Sequence, residues 1–393
     1  MRIIFFAGKG GVGKTSLSSA TGIKAASLGY KTIVMSLDTA HSLSDIFDLD
    51  KKLLDQNKGK PIPVKKNLWI QELDIQEEIQ KDWGEIHQYV TKLLNATGVE
   101  EIMAEELAVI PGMEELSLLL NINRYVREGK YDVIILDSAP TGEAVRFISI
   151  PTVLEWYMKK FFKLERTMMK VARPVVEKLY KVPMPSDDIY EAIKDLFERL
   201  KGVDHVLSDP EITTVRMVSN PEKIVLKETQ RGFMYFTLYK MHIDAIVMNR
   251  ILPTRVKDDY FKGWRKNQRN YIKKAKEYFA PVPIFPVDLF PGEVLGYDKL
   301  MSLADKVYGD KDPVDIFHKD KAYDLSKQNG KYRLAIRLPF VEKTDVKVSR
   351  TTDELIIRLG SFKRHVLLPM HVAKAKKARA KFEEDNLCIY FED

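Results

Sequence analysis

The chain has 393 residues, a net charge of +7 and a single cysteine, Cys388. That length accommodates one large domain plus a smaller one, and a core of ordinary size. One cysteine excludes intrachain disulfides and a cysteine-based metal cage within one subunit. Because no run of about 20 apolar residues and no N-terminal signal segment is visible, the sequence predicts a soluble cytoplasmic protein.

Basic residues cluster in two stretches, 159–181 and 255–276. Such clusters can meet acidic headgroups or nucleic acid. Both stretches also carry apolar residues at helical spacing, which favours solvated helix faces. No nucleic-acid-binding motif occurs in its proper context, and no nucleic-acid partner is expected.

The first motif follows the apolar run Ile3–Ala7, which predicts a buried strand, and it precedes a predicted helix that starts near Ser16. Strand, glycine loop and helix in this order are typical of a phosphate-binding loop. In such a loop the backbone N–H groups surround the phosphates, Lys14 reaches the β- and γ-phosphates, and the Thr15 hydroxyl binds Mg²⁺. The predicted ATP-binding residues here are Gly8, Lys9, Gly10, Gly11, Val12, Gly13, Lys14, Thr15 and Ser16.

Lys9 is a second lysine in this loop, directly after its first glycine. A basic side chain there can point away from its own phosphates, toward a nucleotide held by a facing subunit. The alternative is a solvated loop lysine. The loop alone leaves both readings open.

The predicted strand Thr32–Ser36 runs into a second polar loop. Ligands of doubly wound sheets sit at the carboxyl ends of the strands, so this loop projects toward the phosphates. Asp38 is placed for the Mg²⁺ shell, and Asp45 is a candidate to orient or deprotonate the attacking water. By itself Asp45 could equally cap the helix that follows.

The third element is the apolar segment Tyr131–Leu136, which ends in Asp137. A buried strand that ends in a carboxylate is how a Mg²⁺-coordinating aspartate is delivered beside a phosphate loop. The segment 138–143 follows and could change shape when the γ-phosphate leaves.

Together these three segments resemble the ArsA-type ATPases, and within them the ATPases that target tail-anchored membrane proteins. Further matches lie at 111–115, 207–214, 220–222, 228–231 and 286–296, so the likeness covers about residues 1–308. In the family Lys9 acts across a dimer interface. The resemblance implies adenine-side residues Asn249, Pro286 and Glu293. It also implies Mg²⁺ ligands Thr15, Asp38 and Asp137; catalytic residues Asp45, Lys9 and Lys14; and switch residues Asp38, His41, Asp45, Asp137 and Gly142.

The chain departs from these families in its cysteines. The targeting ATPases carry a Cys-x-x-Cys zinc clamp at their dimer interface, and arsenite pumps gather cysteines into a metalloid site. One Cys388 can supply neither, so the expected cofactors are ATP and Mg²⁺, with no zinc.

Two stretches, 76–128 and 152–205, read as long helical regions rich in methionine and aromatic residues. They fit either a self-packed helical subdomain or an adaptable groove for apolar helices. The resemblance favours the groove, since the targeting ATPases bind their clients here. The candidate groove residues are Met103, Leu119, Met158, Phe161, Phe162, Met168 and Met169.

After Leu303 the pattern changes to turns and short alternating strands. We expect an ATPase domain over 1–308, a linker over 309–330, and a small β-sandwich over 331–393. The last part resembles the α-crystallin domain of small heat-shock proteins, carried by Leu338–Phe340, Val346-x-Val348 and Leu355–Ile357. A β-appendage that merely supports the ATPase domain remains the alternative.

The sequence thus predicts an α/β P-loop NTPase with a mostly parallel doubly wound sheet, a helical subdomain and a C-terminal β-sandwich. Its expected function is that of an ATP-hydrolysing homodimeric switch that captures apolar helical clients and meets a membrane receptor or transporter. An anion-pump ATPase subunit is the alternative. A MinD-like positioning ATPase is a third hypothesis. Such proteins usually carry a terminal amphipathic membrane helix, whereas the C-terminal segment here is predicted to be a β-strand.

Overall fold

A computed structural model of the chain describes residues 1–37, 42–49, 57–96, 99–108, 112–162, 184–319, 322–328, 331–351 and 353–392. Within these residues the N-terminal part is built on one large sheet, in the order β3-β4-β2-β5-β1-β6-β7-β8. Strand β3 is antiparallel to β4, and the other neighbours are parallel. Its strands are β1 (Arg2–Gly8), β2 (Thr32–Ser36), β3 (Ile62–Lys65), β4 (Leu68–Gln71), β5 (Val133–Asp137), β6 (Thr213–Ser219), β7 (Ile243–Ile251) and β8 (Ile284–Asp288).

Helices connect these strands and cover the sheet. Their bounds are α1 (Lys14–Ser27), α2 (Ser42–Phe47), α3 (Ile75–Asp82), α4 (Gly84–Ala96), α5 (Glu101–Leu107), α6 (Met113–Glu128), α7 (Thr141–Tyr157), α8 (Asp187–Leu200), α9 (Val203–Ser208), α10 (Lys223–Leu238), α11 (Lys262–Phe279), α12 (Tyr297–Tyr308) and α13 (Met370–Ala373). A π-helical turn, Met158–Phe162, extends α7, and short 3₁₀ turns lie at Asp259–Phe261 and Lys343–Asp345.

The central strands are buried on both faces. Ile3 and Phe5 of β1 belong to one apolar cluster, whereas Ile4 and Phe6 belong to a second. Since successive side chains of a strand point to opposite faces, the two clusters are the two layers between sheet and helices. The mostly parallel doubly wound sheet predicted from the sequence is thereby confirmed.

Two segments predicted as helical form a subdomain beside this sheet. Helices α3 to α6 and α7 to α9 fill most of the described part of 76–128 and 152–205. Polar contacts join its two halves: Arg199 Nη1 lies 2.6 Å from Asp82 Oδ1, and Asn123 Nδ2 donates to the Arg199 backbone oxygen at 2.6 Å. No helix among the described residues is both long and apolar enough to cross a membrane.

The C-terminal part is a small antiparallel β-sandwich. One sheet has the order β14-β15-β10-β9 and the other β11-β12-β13. Their bounds are β9 (Tyr323–Gln328), β10 (Lys331–Arg337), β11 (Val346–Arg350), β12 (Glu354–Leu359), β13 (Phe362–Leu367), β14 (Lys377–Glu383) and β15 (Asn386–Glu392). Strand β9 lies inside the segment expected to be a linker, where it pairs along β10.

The sandwich rests on helix α10 of the ATPase part. The rings of Tyr235 and Phe362 have centroids 4.3 Å apart, and Phe340 meets Phe233 edge-to-face at 6.2 Å. The guanidinium of Arg364, on β13, donates to the hydroxyl of Thr152 on α7. We call this contact the domain interface. It makes the two parts share one continuous apolar cluster.

Candidate nucleotide site

The glycine loop between β1 and α1 is pressed against the ends of β6 and β7. A Cβ atom added to Gly8 would lie 2.3 Å from the backbone oxygen of Val218, and one added to Gly13 would lie 2.5 Å from Asn249 Nδ2. Gly13 also has φ +98, in the left-handed region that favours glycine. The loop can therefore curl into a cradle only if both positions lack side chains.

Lys14 opens helix α1 and is buried, with only 8% of its surface exposed. Its Nζ donates to the backbone oxygen of Lys9 at 3.3 Å, so the ammonium is held inside the curl of the loop. Lys9, in contrast, is exposed. The two lysines thus face different surroundings, one inside the loop and one at the molecular surface.

Asn249, near the end of β7, forms hydrogen bonds through both the nitrogen and the oxygen of its side-chain amide. Nδ2 donates to the Val12 backbone oxygen at 2.9 Å, and Oδ1 accepts from the Arg250 backbone N–H at 2.9 Å. Arg250 has φ +58, and the pairing of β7 with β8 shifts register between Met248 and Ile251, so the strand is irregular at this asparagine. Asn249 therefore braces the glycine loop in this structure, a role that sequence reasoning missed. Its predicted contact with adenine stays a prediction.

Asp137 ends β5 between β1 and β2, and it is 1% exposed. Its register partners are Phe6 and Ser36, and its backbone oxygen accepts from Leu37 N–H at 2.8 Å. The predicted aspartate is thus delivered beside the glycine loop. Asp38 and His41, by contrast, lie outside the described residues.

Helix α2 carries Asp45 on its exposed side and packs on α1 through Leu43 and Phe47. Its start is held by Glu72, which follows β4. One carboxylate oxygen of Glu72 accepts from the backbone N–H groups of Leu43 at 2.7 Å and Ser44 at 3.2 Å. Sequence reasoning missed Glu72. A sequence signal for it was available, because Glu72 follows the apolar segment of β4 in the same way that Asp137 follows the apolar residues of β5.

The segment from Pro286, in β8, to Gly296 also contacts α2. Pro286 of β8 pairs with Met248 of β7, one residue before Asn249. Glu293, in this segment, is exposed. The predicted switch residue Gly142 lies elsewhere, at the start of α7, and a Cβ atom added to it would meet no atom within 4 Å. Gly296 N–H donates to the Ile46 backbone oxygen at 2.9 Å, which ties the 286–296 segment to the helix of Asp45.

The donor set at the loop suits a magnesium ion. Thr15 supplies a half-buried hydroxyl and Asp137 a buried carboxylate, both hard oxygen ligands. Over the described residues no group of three or more His, Cys, Asp or Glu side chains could hold a metal ion. Mg²⁺ bound with nucleotide commonly takes one or two protein ligands and completes its shell with phosphate oxygens and waters, so the residues present fit it.

A glycine cradle that opens a helix, a buried lysine within it and a buried aspartate on the adjoining strand define a P-loop nucleotide-binding protein. The comparisons with known proteins are more specific. The chain belongs to the ArsA ATPase family, whose model, described as "Anion-transporting ATPase", matches residues 1–309. A second model, described as "HSP20-like domain found in ArsA", matches residues 329–391. The chain is therefore an ATPase with an HSP20-like C-terminal domain.

The chain is similar to three curated relatives in particular. A protein of Aquifex aeolicus, provisionally named arsenical pump-driving ATPase 1, is 48% identical over 99% of this chain and 100% of its own length. A relative from Prosthecochloris vibrioformis with a corresponding name is 34% identical over 100% of this chain and 96% of its own. The ATPase get3 of Aspergillus niger is 29% identical over 78% of this chain and 89% of its own.

A second cleft, of about 650 Å³, lies at the far end of α7. Its apolar lining consists of Pro151, Leu154, Met158, Phe162, Phe197 and Leu200. Two of the predicted groove residues, Met158 and Phe162, are thus part of it, and Phe162 packs edge-on to Tyr190 with centroids 5.7 Å apart. We call it the α7 cleft.

The other predicted groove residues lie elsewhere. Met103 on α5 is 56% exposed. Leu119 on α6 is fully buried in the core, because its face of the helix packs toward the sheet, so its assignment to an open groove is corrected here. Met168 and Met169 lie outside the described residues, as does the side chain of Phe161.

Proposed function

We propose that this ATPase works as a nucleotide-switched homodimer that captures apolar helical segments of client proteins. The observation that carries the proposal is the α7 cleft, an apolar concavity rimmed by charged side chains. Amphipathic or apolar helices bind in such grooves by inserting side chains one or two turns apart. The resemblance to the ATPases that target tail-anchored proteins points to the same occupant.

An exposed apolar side chain beside the cleft supports this occupant: Val153 on α7, next to the cleft residue Leu154, is 54% exposed. Methionine and phenylalanine in the cleft lining can adjust to helices of different sequence. Binding there would remove the apolar side chains of a client from water, which is favourable.

Helix α7 offers a direct connection between the two sites. It begins at Thr141, four residues after Asp137, and its C-terminal turns line the α7 cleft. A helix of 17 residues is about 25 Å long. A change at the 137–143 segment on loss of the γ-phosphate would therefore be transmitted along α7 to its side of the cleft.

Support for a dimer comes from Lys9. Lys9 is exposed on the loop, which supports a contact between its ammonium and the nucleotide of a facing subunit. Lys14 and Lys9, with Mg²⁺ held by Thr15 and Asp137, would together offset the charge that develops on the transferred phosphoryl group. Asp45 would position the attacking water.

The test is retention of a labelled transmembrane-type peptide. An Asp45→Asn chain is held in ATP and compared with the same chain in ADP, and the peptide is recovered with the protein on a sizing column. We expect retention with ATP, on a species of twice the monomer mass. Retention in neither nucleotide state would overturn client capture and leave the ATPase assignment intact.

Two variants connect the result to the cleft. Leu154→Glu and Met158→Glu place charges on half-buried lining residues and should abolish retention. Ile224→Glu is the matched control, because Ile224 is an apolar residue that is 71% exposed on α10, away from the cleft. Equal retention by all three variants would exclude the α7 cleft as the client site.

A second candidate is the ATPase subunit of an anion pump. The names of the relatives with 48% and 34% identity favour it, because these relatives match nearly the whole of this chain. Cys388 opposes a thiol-based metalloid site, since it is buried in β15, where Arg333 Nη2 donates to its Sγ at 3.0 Å.

Turnover measurements separate the two candidates. A pump motor should hydrolyse ATP faster when arsenite, antimonite or another oxyanion is added, and should ignore the apolar peptide. A client-handling ATPase should respond to the peptide and not to the anions. The effects of the anions and of the peptide on turnover are both measured with the full chain, at the same Mg²⁺ and ATP concentrations.

A further inference from the structure

Helix α11 carries most of the net charge of the molecule. Seven of its 18 residues are lysine or arginine and one, Glu277, is acidic, which gives the helix a net charge of +6. The rest of the chain is nearly neutral, since the total is +7. Asp258 and Asp259, just before the helix, are balanced by Arg255 and Lys257. Charge concentrated in this way attracts an anionic partner to one place on the molecule.

Five cations of α11 form a row along the helix. They recur at alternating steps of four and three residues, a spacing that keeps side chains on one side of an α-helix. With a rise of about 1.5 Å per residue, the row is about 21 Å long. All its members are exposed: Lys262, Lys266, Arg269, Lys273 and Lys276. We call them the basic row.

The inner side of the helix is fixed to the ATPase part. Phe279 is 1% exposed and packs on Phe233 of α10, with ring centroids 5.6 Å apart. Gln268, also buried, accepts from the Leu252 backbone N–H at 2.8 Å and donates to the Arg250 backbone oxygen at 3.3 Å. These contacts hold α11 in one rotation about its axis, in which the basic row faces solvent.

The basic row is almost without counter-charges. Lys273 Nζ lies 4.0 Å from Glu277 Oε1, and both side chains are well exposed. An exposed ion pair of this kind contributes little. The other four cations of the row form no ion pair with any residue that the structure describes. The row is therefore available to an anionic surface outside the molecule.

The side chains of the basic row suit lipid headgroups. Four of the five are lysines, whose flexible stems let a compact ammonium reach headgroups at different depths. Arginine, in contrast, predominates where carboxylates or phosphates are bound in a fixed bidentate geometry. Tyr260, in the 3₁₀ turn just before α11, adds a ring that is 77% exposed, and tyrosine favours the headgroup level of a membrane.

We propose that α11 is a docking surface for an anionic lipid leaflet, which the basic row contacts along its length. The Cβ atoms of neighbours in the row are about 5–6 Å apart on a convex surface, so a single small anion would reach only one or two of the cations. A leaflet with acidic headgroups offers a partner to every one of them. The proposal is independent of client capture and of the α7 cleft.

The test is co-flotation of the full chain with lipid vesicles. One set of vesicles contains phosphatidylcholine alone, and the other an equal mixture of phosphatidylcholine and phosphatidylglycerol. We expect binding to the anionic vesicles only, and weaker binding as the salt concentration is raised. Each cation near such a surface strengthens binding by about fivefold, so Lys266→Gln combined with Arg269→Gln should weaken it by about 25-fold.

The matched control removes the same two charges from another exposed basic element. Lys377→Gln combined with Arg379→Gln changes two exposed side chains of β14 and should leave vesicle binding as in the parent chain. Equal losses in both double variants would show that binding follows total charge, and this result would overturn the proposal. So would an unchanged affinity of the α11 variant, or equal binding to the neutral vesicles.

A parallel titration with duplex DNA distinguishes the other large polyanion that a basic helix can bind. Binding of the duplex without binding of anionic vesicles would assign the basic row to nucleic acid and overturn the lipid proposal. None of these results bears on client capture, because the peptide retention experiment contains no lipid.

Discussion

The Glu72 carboxylate accepts the backbone N–H of Leu43 at 2.7 Å and so joins the end of β4 to the start of the helix that carries Asp45. A six-residue helix has little stability of its own, because nucleation is unfavourable. Its orientation is fixed by its packing on α1, by Glu72 at its start and by the Gly296 N–H at Ile46. These three contacts position the helix that carries Asp45.

Replacing Glu72 should therefore impair hydrolysis without touching the nucleotide. Glu72→Gln keeps an acceptor oxygen but removes its charge, and a hydrogen bond to a charged group contributes about 1.5–3 kcal/mol. If about 1.4 kcal/mol of that positions Asp45 in the transition state, kcat falls by about tenfold. Steady-state ATP hydrolysis, with ATP binding measured separately, checks this; an unchanged kcat would show that α2 holds its position without Glu72.

Asp45→Asn should abolish hydrolysis while ATP binding is preserved. Proton transfer or water positioning by a side chain is worth about 10²–10⁴-fold in rate. The matched control is Asp48→Asn, which neutralises an exposed carboxylate three residues further along the same segment. Single-turnover hydrolysis and nucleotide-binding titrations give the two readouts, and normal turnover by the Asp45 variant would remove this residue from the proposed role.

Gly13→Ala should disable nucleotide binding through two separable effects. The new Cβ would strain a backbone at φ +98, at about 1–2 kcal/mol, and would collide with Asn249 Nδ2. A loop displaced by about 1 Å can lose about 10²-fold in activity. Gly11→Ala is the comparison, because it meets the strain at φ +78 but has nothing within 4 Å of its Cβ. Equal ATP affinity in both variants would show that the collision has no effect.

Cys388 should resist thiol reagents while the chain is folded. Burial raises the pKa of its thiol, so the reactive thiolate is scarce near neutral pH. A raised folded pKa means that this group's stabilising contribution is complete below the unfolded pKa of about 8.5 and is lost as pH rises through the folded value. Iodoacetamide labelling followed by mass spectrometry should be slow in buffer and fast in denaturant; rapid native labelling would contradict the packing of β15.

Local sequence patterns were sufficient to predict the strands that are followed directly by polar residues. The segments of β1 and β5 are continuous apolar runs, so both strands could be predicted, and the structure places Asp137 at the end of β5 and Lys14 in the loop after β1. The chemical roles of these two residues stay predictions. The alternating residues Leu355, Ile357 and Leu359 likewise predicted the buried face of β12. These are short-range signals, read within about ten residues.

Long-range contacts were not accessible in this way. Glu72 reaches Leu43 across 29 residues, and Asn249 reaches Val12 across 237, so no local pattern links the partners. Leu119 shows a different limit. Helices that pack in a core and helices that line an apolar groove contain the same residue types, so the sequence could not tell which of the two places Leu119 occupies. The segment 309–330 was expected to be a linker with room for one short strand or helix, and it contains strand β9; its pairing with β10 was not predicted.

The stacking of Tyr235 on Phe362 has a practical meaning for anyone who shortens this chain. A fragment cut before the sandwich would leave the outer face of α10, with Phe233 and Tyr235, in contact with water. A newly exposed aromatic strip of this kind favours self-association. A dimer of a truncated protein would then be formed by the cut surface, so the proposed nucleotide-driven dimer has to be tested with the chain that includes the sandwich.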